Sequence, residues 1–454
     1  MHYIMLPSEL VGFTNRTTEI VKTVSNREMY LLHGELEASA EDSLCPQCGS
    51  SMHIHNRSEV NLRHLCFGHK LSCLRFTKLR YYCPPCGHSH MQAVPFQAQG
   101  HRISSELLNY TRDLLAYGFT NKEVAYITGL GKNTVKDIDL QRLKEKYTVD
   151  GERLLQPGRQ ARFLGIDEFK LHDGHKYAVI IIDMETGHIL WLAHGKKKAS
   201  VYSFIEHVGK EWMDGVEAVA CDMNSDFQEA FEEKCPHIQV VFDFFHIVKN
   251  FNDKVVGEVR KDEQRRLFAE GDAQGAQSLK RSKYILSSSR QTLERKDQEA
   301  ENGKILCKGS SLFSKEPVVR RDGHLARYED LIRQNRLLFT LDLIKEKLSE
   351  AYKMADEPSM ASSITEIMDM CMATGNKHLL WFRRLLDNHF EGIIAHATYD
   401  ISAGKIEGVN NRIKTLRRQG YGYPDDDYFF LKLFDASRKD YVRNPAAERI
   451  PQDL

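Results

Sequence analysis

The sequence predicts a multidomain α+β protein: a small cysteine-rich domain, a helical module, and an α/β core that an all-helical insertion interrupts. Three observations predict it. Two Cys-x-x-Cys pairs stand near the N-terminus. Apolar, β-branched runs between 163 and 245 alternate with helical spacing in the order β-β-β-α-β-α-β. From about 250 to 395 the chain turns charged and helical with no strand signal. At 454 residues it is too long for one ordinary core, so several domains are expected. The expected boundaries are 1–95, 96–155, 156–252 for the first part of the core, 253–395 for the insertion, and 396–454 for the second part of the core with the tail.

The cysteine pairs come first along the chain. Cys45-Pro-Gln-Cys48 and Cys83-Pro-Pro-Cys86 are separated by 34 residues, and Gly49 and Gly87 follow them. Each pair supplies two thiolates from one tight turn, and two such knuckles complete a tetrahedral zinc site. A redox dithiol is the competing reading, but it would open a helix after a core strand and would need no twin. The first domain is therefore expected to be a zinc ribbon whose metal is structural. Cys66, Cys73, His64, His69 and His88 leave open which four groups bind.

The next segment, TNKEVAYITGLGKNTVKDI from Thr120 to Ile138, has the spacing of a helix-turn-helix. Thr120 and Glu123 form a capping box, Ala125 permits a close crossing, and Gly129 occupies the turn. The second helix would present Lys132, Asn133, Thr134 and Lys136 to DNA. An ordinary helical hairpin is the alternative; the adjacent ribbon and the basic flank favour DNA binding.

In the core, FLGIDEF carries Asp167 and VACDMNSDF carries Asp222. Apolar strands should exclude an unpaired carboxylate. Two such acids on neighbouring strands repel unless divalent cations lie between them, and Mg²⁺ (or Mn²⁺) suits oxygen ligands of this kind. Glu168 faces away from Asp167 by strand alternation. Asp183 and Glu185 are expected to be solvated at a turn. Asp243 ends the fifth strand, where it could support a ligand, and His246 could contact a phosphate or cap the next helix.

The tract Ser402–Tyr423, SAGKIEGVNNRIKTLRRQGYGY, is strongly cationic and helical. On a helical wheel Ile406, Val409, Ile413 and Leu416 share one side, and Glu407, Asn411, Lys414 and Arg418 another. The polar face, with the adjacent Arg417, is expected to meet a phosphate backbone. Gly408 suggests close approach by backbone or DNA. Asp425, Asp426 and Asp427 fall beyond Gly422 and Pro424, in an expected exposed turn.

The strand order, with Asp on the first strand and after the fourth, resembles the RNase H-like fold of DDE transposases and integrases. From about residue 30 to 435 the chain is similar to the ISL-three (ISL3) transposase family of bacterial insertion sequences. The two cysteine pairs, FLGIDEF, CDMNSDF, VVFDFFHIVKN and above all IEGVNNRIKTLRRQGYGY carry the resemblance. It implies an Asp-Asp-Glu triad of Asp167, Asp222 and Glu407, holding Mg²⁺ or Mn²⁺, with a helical insertion between the second Asp and the Glu. The second interval is indeed 185 residues against 55 for the first. It further implies binding of terminal inverted repeats and target DNA, 3′-end cleavage and strand transfer, and a homodimer or higher synaptic assembly. A DNA-binding regulator without catalysis and an RNase H-like nuclease are the alternatives. In the insertion, Arg320, Arg321, Arg383 and Arg384 read as a solvated face or as further DNA contacts.

Zero net charge excludes a global polyanion-attracting field, which leaves local patches. The most apolar stretch, Tyr177 to Ala193, is broken by Asp183, Glu185 and His188, so no membrane span is expected. The N-terminal MHYIMLPSEL has no signal-peptide pattern, and a cytoplasmic, nucleoid-associated protein is expected.

Overall fold

The computed structural model describes residues 12–37, 40–174, 176–223, 225–301, 306–308, 316–318, 323–399, 401, 404–420 and 422–439. The chain divides into two compact units, residues 1–155 with 415–454, and residues 156–414.

The first unit opens with β1 (Phe13–Lys22), β2 (Glu28–Leu36), β3 (His53–Phe67), β4 (Lys70–Tyr82) and β5 (Ser89–Met91). They form one sheet of order β1-β2-β4-β3, with β5 paired to β4. Only β2 and β4 run parallel; the other pairs are antiparallel. Alternation along the strands buries Leu32, Leu62, Leu74 and Phe76 against Phe13 and Phe96. Phe13, Phe76 and Phe96 meet edge to face, with centroids 6.0 to 6.2 Å apart.

Three helices follow: α1 (Ser105–Tyr117), α2 (Asn121–Thr128) and α3 (Lys132–Tyr147). The expected capping box is present at Thr120 and Glu123, and Gly129 makes the turn at φ 69°. A side chain there would be strained, which is why the turn needs glycine. Leu107, Leu114, Leu115, Val124, Val135 and Ile138 form the core between the three helices. A short hairpin, β6 (Thr148–Val149) and β7 (Arg153–Leu154), ends this segment.

The second unit begins with β8 (Phe163–His172), β9 (Lys176–Asp183) and β10 (Ile189–His194). Helices α4 (Lys198–Val208) and α5 (Lys210–Met213), β11 (Ala218–Cys221), α6 (Ser225–Lys234), β12 (Gln239–Phe242) and α7 (Phe244–Asn250) complete its sheet region. The sheet order is β10-β9-β8-β11-β12. β8, β9 and β10 form an antiparallel meander, and β8, β11 and β12 run parallel. The buried run Ala178–Asp183 explains why β9 is internal to the sheet. Asp183 is buried rather than solvated. Its carboxylate accepts from the Glu185 amide and the Thr186 hydroxyl, both at 2.8 Å, and so builds the β9–β10 turn.

A π-helical turn, Phe251–Val256, leads into the helical stretch. It holds α8 (Gly257–Ala269), α9 (Ala273–Ser278), α10 (Lys283–Ser287), α11 (Arg290–Glu301), α12 (His324–Gln334), α13 (Arg336–Ala351), α14 (Glu357–Ala373), α15 (Lys377–Asn388) and α16 (Phe390–Ile394). The exception to its helical character is an antiparallel pair, β13 (Leu306–Lys308) and β14 (Glu316–Val318), too short to carry an alternation signal. Most of residues 303–317 fall outside the described residues, as do Arg320 and Arg321. Phe251, Tyr328, Leu341, Ile344, Ile364 and Phe382 continue the core that begins at Ile166, Phe204 and Val219.

Helix α17 (Gly404–Gln419) follows; its residues up to Lys414 belong to the second unit. The last helix, α18 (Asp426–Ser437), packs on α3 in the first unit. Asp425 does not lie in an exposed turn: its carboxylate caps α18 by accepting from the Tyr428 amide, and it pairs with Lys136 at 2.8 Å. Two buried acids fasten the helices. Asp139 accepts from Arg142, Lys432 and Tyr428, and Asp435 accepts from Arg142, Lys146 and Tyr147. Burial opposes the charge on Asp435, yet Arg142, Tyr147 and Lys146 hold its carboxyl down at about 2.

Candidate active site and metal centre

The register of the parallel strands places three acids side by side. Ile166 of β8 pairs with Cys221 of β11, which pairs with Phe242 of β12. The next residue in each strand direction is an aspartate: Asp167, Asp222 and Asp243. Ile166, Cys221 and Phe242 all enter the core, so alternation turns the three acids away from it. Each carboxylate is held by a backbone amide just downstream. Glu168 donates to Asp167 at 2.7 Å, Met223 to Asp222 at 2.7 Å, and Phe245 to Asp243 at 2.9 Å. Asp243 thereby caps α7.

The electrostatics are those of crowded carboxylates. Burial raises the Asp167 carboxyl above its ordinary value and Asp222 adds to the rise, while the Glu168 amide, His246 and Asn410 oppose it. Glu168 is also raised, by burial first, and its Oε2 is buried without a hydrogen-bond partner. His246 Nδ1 lies 3.9 Å from Asp243 Oδ2, beyond hydrogen-bond distance, and is likewise buried without a partner.

Helix α17 brings Asn410, a residue absent from the sequence-based candidates. Asn410 is 9% exposed; its Nδ2 donates to Asp167 Oδ2 at 2.6 Å, and its Oδ1 has no partner. It stands four residues after Ile406 and three before Ile413, both buried. That position on the apolar stripe was the available signal, because a polar group there must be bonded. His389 was also missed. Its ring meets Phe242 edge to face at 4.8 Å; burial lowers its pKa, and Asp222 opposes that.

Glu407 lies one helical turn before Asn410, exposed and without a hydrogen bond or ion pair among the described residues. Asn411, Lys414 and Arg418 are exposed as the wheel predicts, and Arg417 is half-buried. A Cβ on Gly408 would meet nothing within 4 Å among the described residues, so none of them explains that glycine by close approach. Ser402, Ala403 and Tyr421 lie outside the described residues. In the first unit Lys132 and Asn133 are exposed at the start of α3, Thr134 is half-buried, and Lys136 is engaged by Asp425.

The cysteines form the second centre. Among the described residues, Cys45, Cys48, Cys83 and Cys86 are the one group whose candidate metal-ligand atoms all lie within 4.8 Å of one another. The carboxylates form no cluster that tight. Sulfur separations of 3.4, 3.5 and 3.6 Å approach the roughly 3.8 Å edge of a tetrahedral zinc–thiolate site. Gly49 and Gly87, at φ 69° and 72°, close the two knuckles by donating to Cys45 and Cys83 carbonyls at 2.8 Å. Cys66 and Cys73 lie outside the cluster, where burial raises both thiols, and His64 pairs with the Ser104 hydroxyl. The donor set is thus four thiols, which fits zinc.

A family model described as a transposase, of the ISL3 group, matches residues 164–433, more than half of the chain. The chain belongs to the ISL3 transposase family. The matched span begins at β8 and runs through Asp167, Asp222, Asp243, Glu407 and Asn410 into α18. The chain is also 25% identical to the transposase for insertion sequence element IS1001 of Bordetella parapertussis, over 88% of this chain and 89% of that one. It is 22% identical to the transposase for IS1557 of Mycobacterium tuberculosis, over 84% and 82% respectively. Among the described residues of this ISL3 transposase, no helix is long and apolar enough to cross a membrane.

Proposed function

We propose that the protein is a DDE transposase: an RNase H-like core cuts and joins DNA with divalent cations, and a zinc ribbon and helix-turn-helix recognise the ends of an insertion sequence. The observation that carries the reading is the row Asp167–Asp222–Asp243 at one end of parallel strands, faced by α17 through the Asn410–Asp167 bond. The family match over the same residues supports it.

In this reading Asp167, Asp222 and Glu407 hold Mg²⁺ or Mn²⁺, with Asp243 and His246 supporting them. Bound there, the cations would activate the attacking oxygen and stabilise the leaving one. Burial and the neighbouring Asp222 raise the Asp167 carboxyl, and a bound cation would oppose that rise. Water attacks the scissile phosphorus, the P–O3′ bond breaks, and a free 3′-hydroxyl leaves with the proton. That hydroxyl then attacks a phosphodiester of target DNA, displacing its 3′-oxygen. Lys414, Arg417, Arg418 and Asn411 hold the backbone in the core, and Lys132, Asn133, Thr134 and Lys136 contact the ends.

The test uses end-sequence DNA with Mg²⁺ or Mn²⁺. Wild type is expected to cleave, and Asp167→Asn, Asp222→Asn and Glu407→Gln to bind the ends without cleaving. Cleavage by Glu407→Gln would remove that residue from the triad. End binding by wild type with no metal-dependent cleavage would favour a DNA-binding regulator.

A further inference from the structure

The first unit carries a groove whose aromatic lining and Lys122 have no part in the proposed chemistry. It has a volume of about 1280 Å³ and lies among the end of α1, the starts of α2 and α3, and the segment leading into α18. Aromatic rings and cations share its lining. Tyr117, Phe119 and Tyr126 are 82%, 42% and 71% exposed, and the three rings line one groove together. Opposite them, Tyr423 lies stacked on Phe429 at 4.7 Å, and Tyr428 forms part of the wall.

The charge of the lining is one-sided once its internal pairs are removed. Glu123 keeps its charge while the Thr120 amide and hydroxyl hold it in the capping box, Asp425 is paired with Lys136, and the remaining cations outnumber it. Lys122, Lys132 and Arg418 are exposed and make no ion pair among the described residues. A net positive lining beside exposed rings suits one ligand chemistry: phosphates joined to flat, apolar faces. Duplex DNA offers the phosphates but keeps its base faces stacked inside; only an unpaired strand offers both.

We propose that this groove binds an unpaired stretch of DNA, with bases laid on Tyr117, Phe119 and Tyr126 and backbone phosphates held by Lys122, Lys132 and Arg418. The inference rests on the reading of the protein as a DNA transposase but is independent of its catalytic residues. In that setting the groove receives a strand unpaired at a transposon end. Arg27, whose guanidinium lies 4.7 Å from the centre of the Tyr126 ring, backs one face of it and strengthens its stacking.

The experiment measures fluorescence anisotropy of a labelled oligothymidylate and of a duplex of equal length, each titrated with the full chain. Tyr117→Ala with Tyr126→Ala is expected to weaken single-strand binding by about tenfold or more and to leave duplex binding within about twofold. Tyr117→Phe with Tyr126→Phe should restore it, because the ring is kept. Lys122→Ala should weaken binding and flatten its salt dependence. Both tyrosines are exposed, so unchanged melting temperatures serve as the folding control. Equal losses for single strand and duplex, or no loss for either, would overturn the proposal. Binding by Glu407→Gln, measured in parallel, separates this outcome from failure of the catalytic reading: that variant should bind single strands as wild type does.

Discussion

Asn410 Nδ2 donates to Asp167 Oδ2 at 2.6 Å, so a helix 243 positions downstream fixes the carboxylate at the centre of the sheet. With the Glu168 amide on the other oxygen, both oxygens of Asp167 are oriented before any ligand arrives. Asn410→Ala is expected to weaken apparent Mg²⁺ or Mn²⁺ affinity by about 10- to 100-fold in a cleavage titration, with end binding unchanged. A lower melting temperature with an unaltered metal titration would mean that the bond serves only the fold.

Asp243 has two separable roles. It caps α7, and strand register puts it beside Asp222. Asparagine caps a helix about as well as aspartate, so Asp243→Asn should leave stability within roughly 0.5 kcal/mol of wild type. Cleavage should nevertheless fall about tenfold through loss of the charge. Full activity in Asp243→Asn would confine the residue to capping.

Acid should loosen α18 from α3. The Asp435 carboxyl titrates at about 2 in the folded protein and near 3.9 in an unfolded chain. A depressed folded value contributes stability that is complete above about pH 4 and is lost as pH falls toward 2. The contribution is on the order of 2 kcal/mol, and Asp139, also lowered by Lys432 and Arg142 against its burial, adds to it. Hydrogen exchange in 426–437 measured from pH 5 to pH 2.5 reads it directly. Protection that does not change over that window would refute the assignment. Asp435→Ala should cost about 3–5 kcal/mol, because it leaves Arg142 and Lys146 short of a partner.

Metal analysis should find a single zinc ion per chain, lost in Cys48→Ser and Cys83→Ser and retained in Cys66→Ser and Cys73→Ser. A chelator should lower the melting temperature of the wild type and have little effect on Cys48→Ser, since its site is already broken. Zinc retained in Cys48→Ser would call for a different ligand set.

Gly408→Ala tests whether the exposed face of α17 meets DNA. None of the described residues lies within 4 Å of the added methyl, so helix propensity alone predicts a gain of roughly 0.5–1 kcal/mol. Weaker DNA binding despite higher stability would show that the glycine makes room for DNA. Unchanged binding would leave the glycine with no role at that face.

Local chemistry was legible in the sequence by itself. The capping box at Thr120, the αL turns at Gly49, Gly87 and Gly129, the paired cysteines and the two faces of α17 all depend on residues within a few positions of one another. Spacing reports such relations directly. What only the tertiary structure decided involves partners far apart in the chain. Strand register aligned Asp167, Asp222 and Asp243, folding set Asn410 against Asp167, burial made Asp183 structural, and the α18 cap with the Lys136 pair did the same for Asp425. The docking of α18 on α3 had no sequence signal either, since Asp139 is bound by Lys432, and Asp435 by Arg142 and Tyr147, from distant parts of the chain. A buried carboxylate is tolerated only where distant groups satisfy it, and those groups are chosen by the fold, not by their place in the chain.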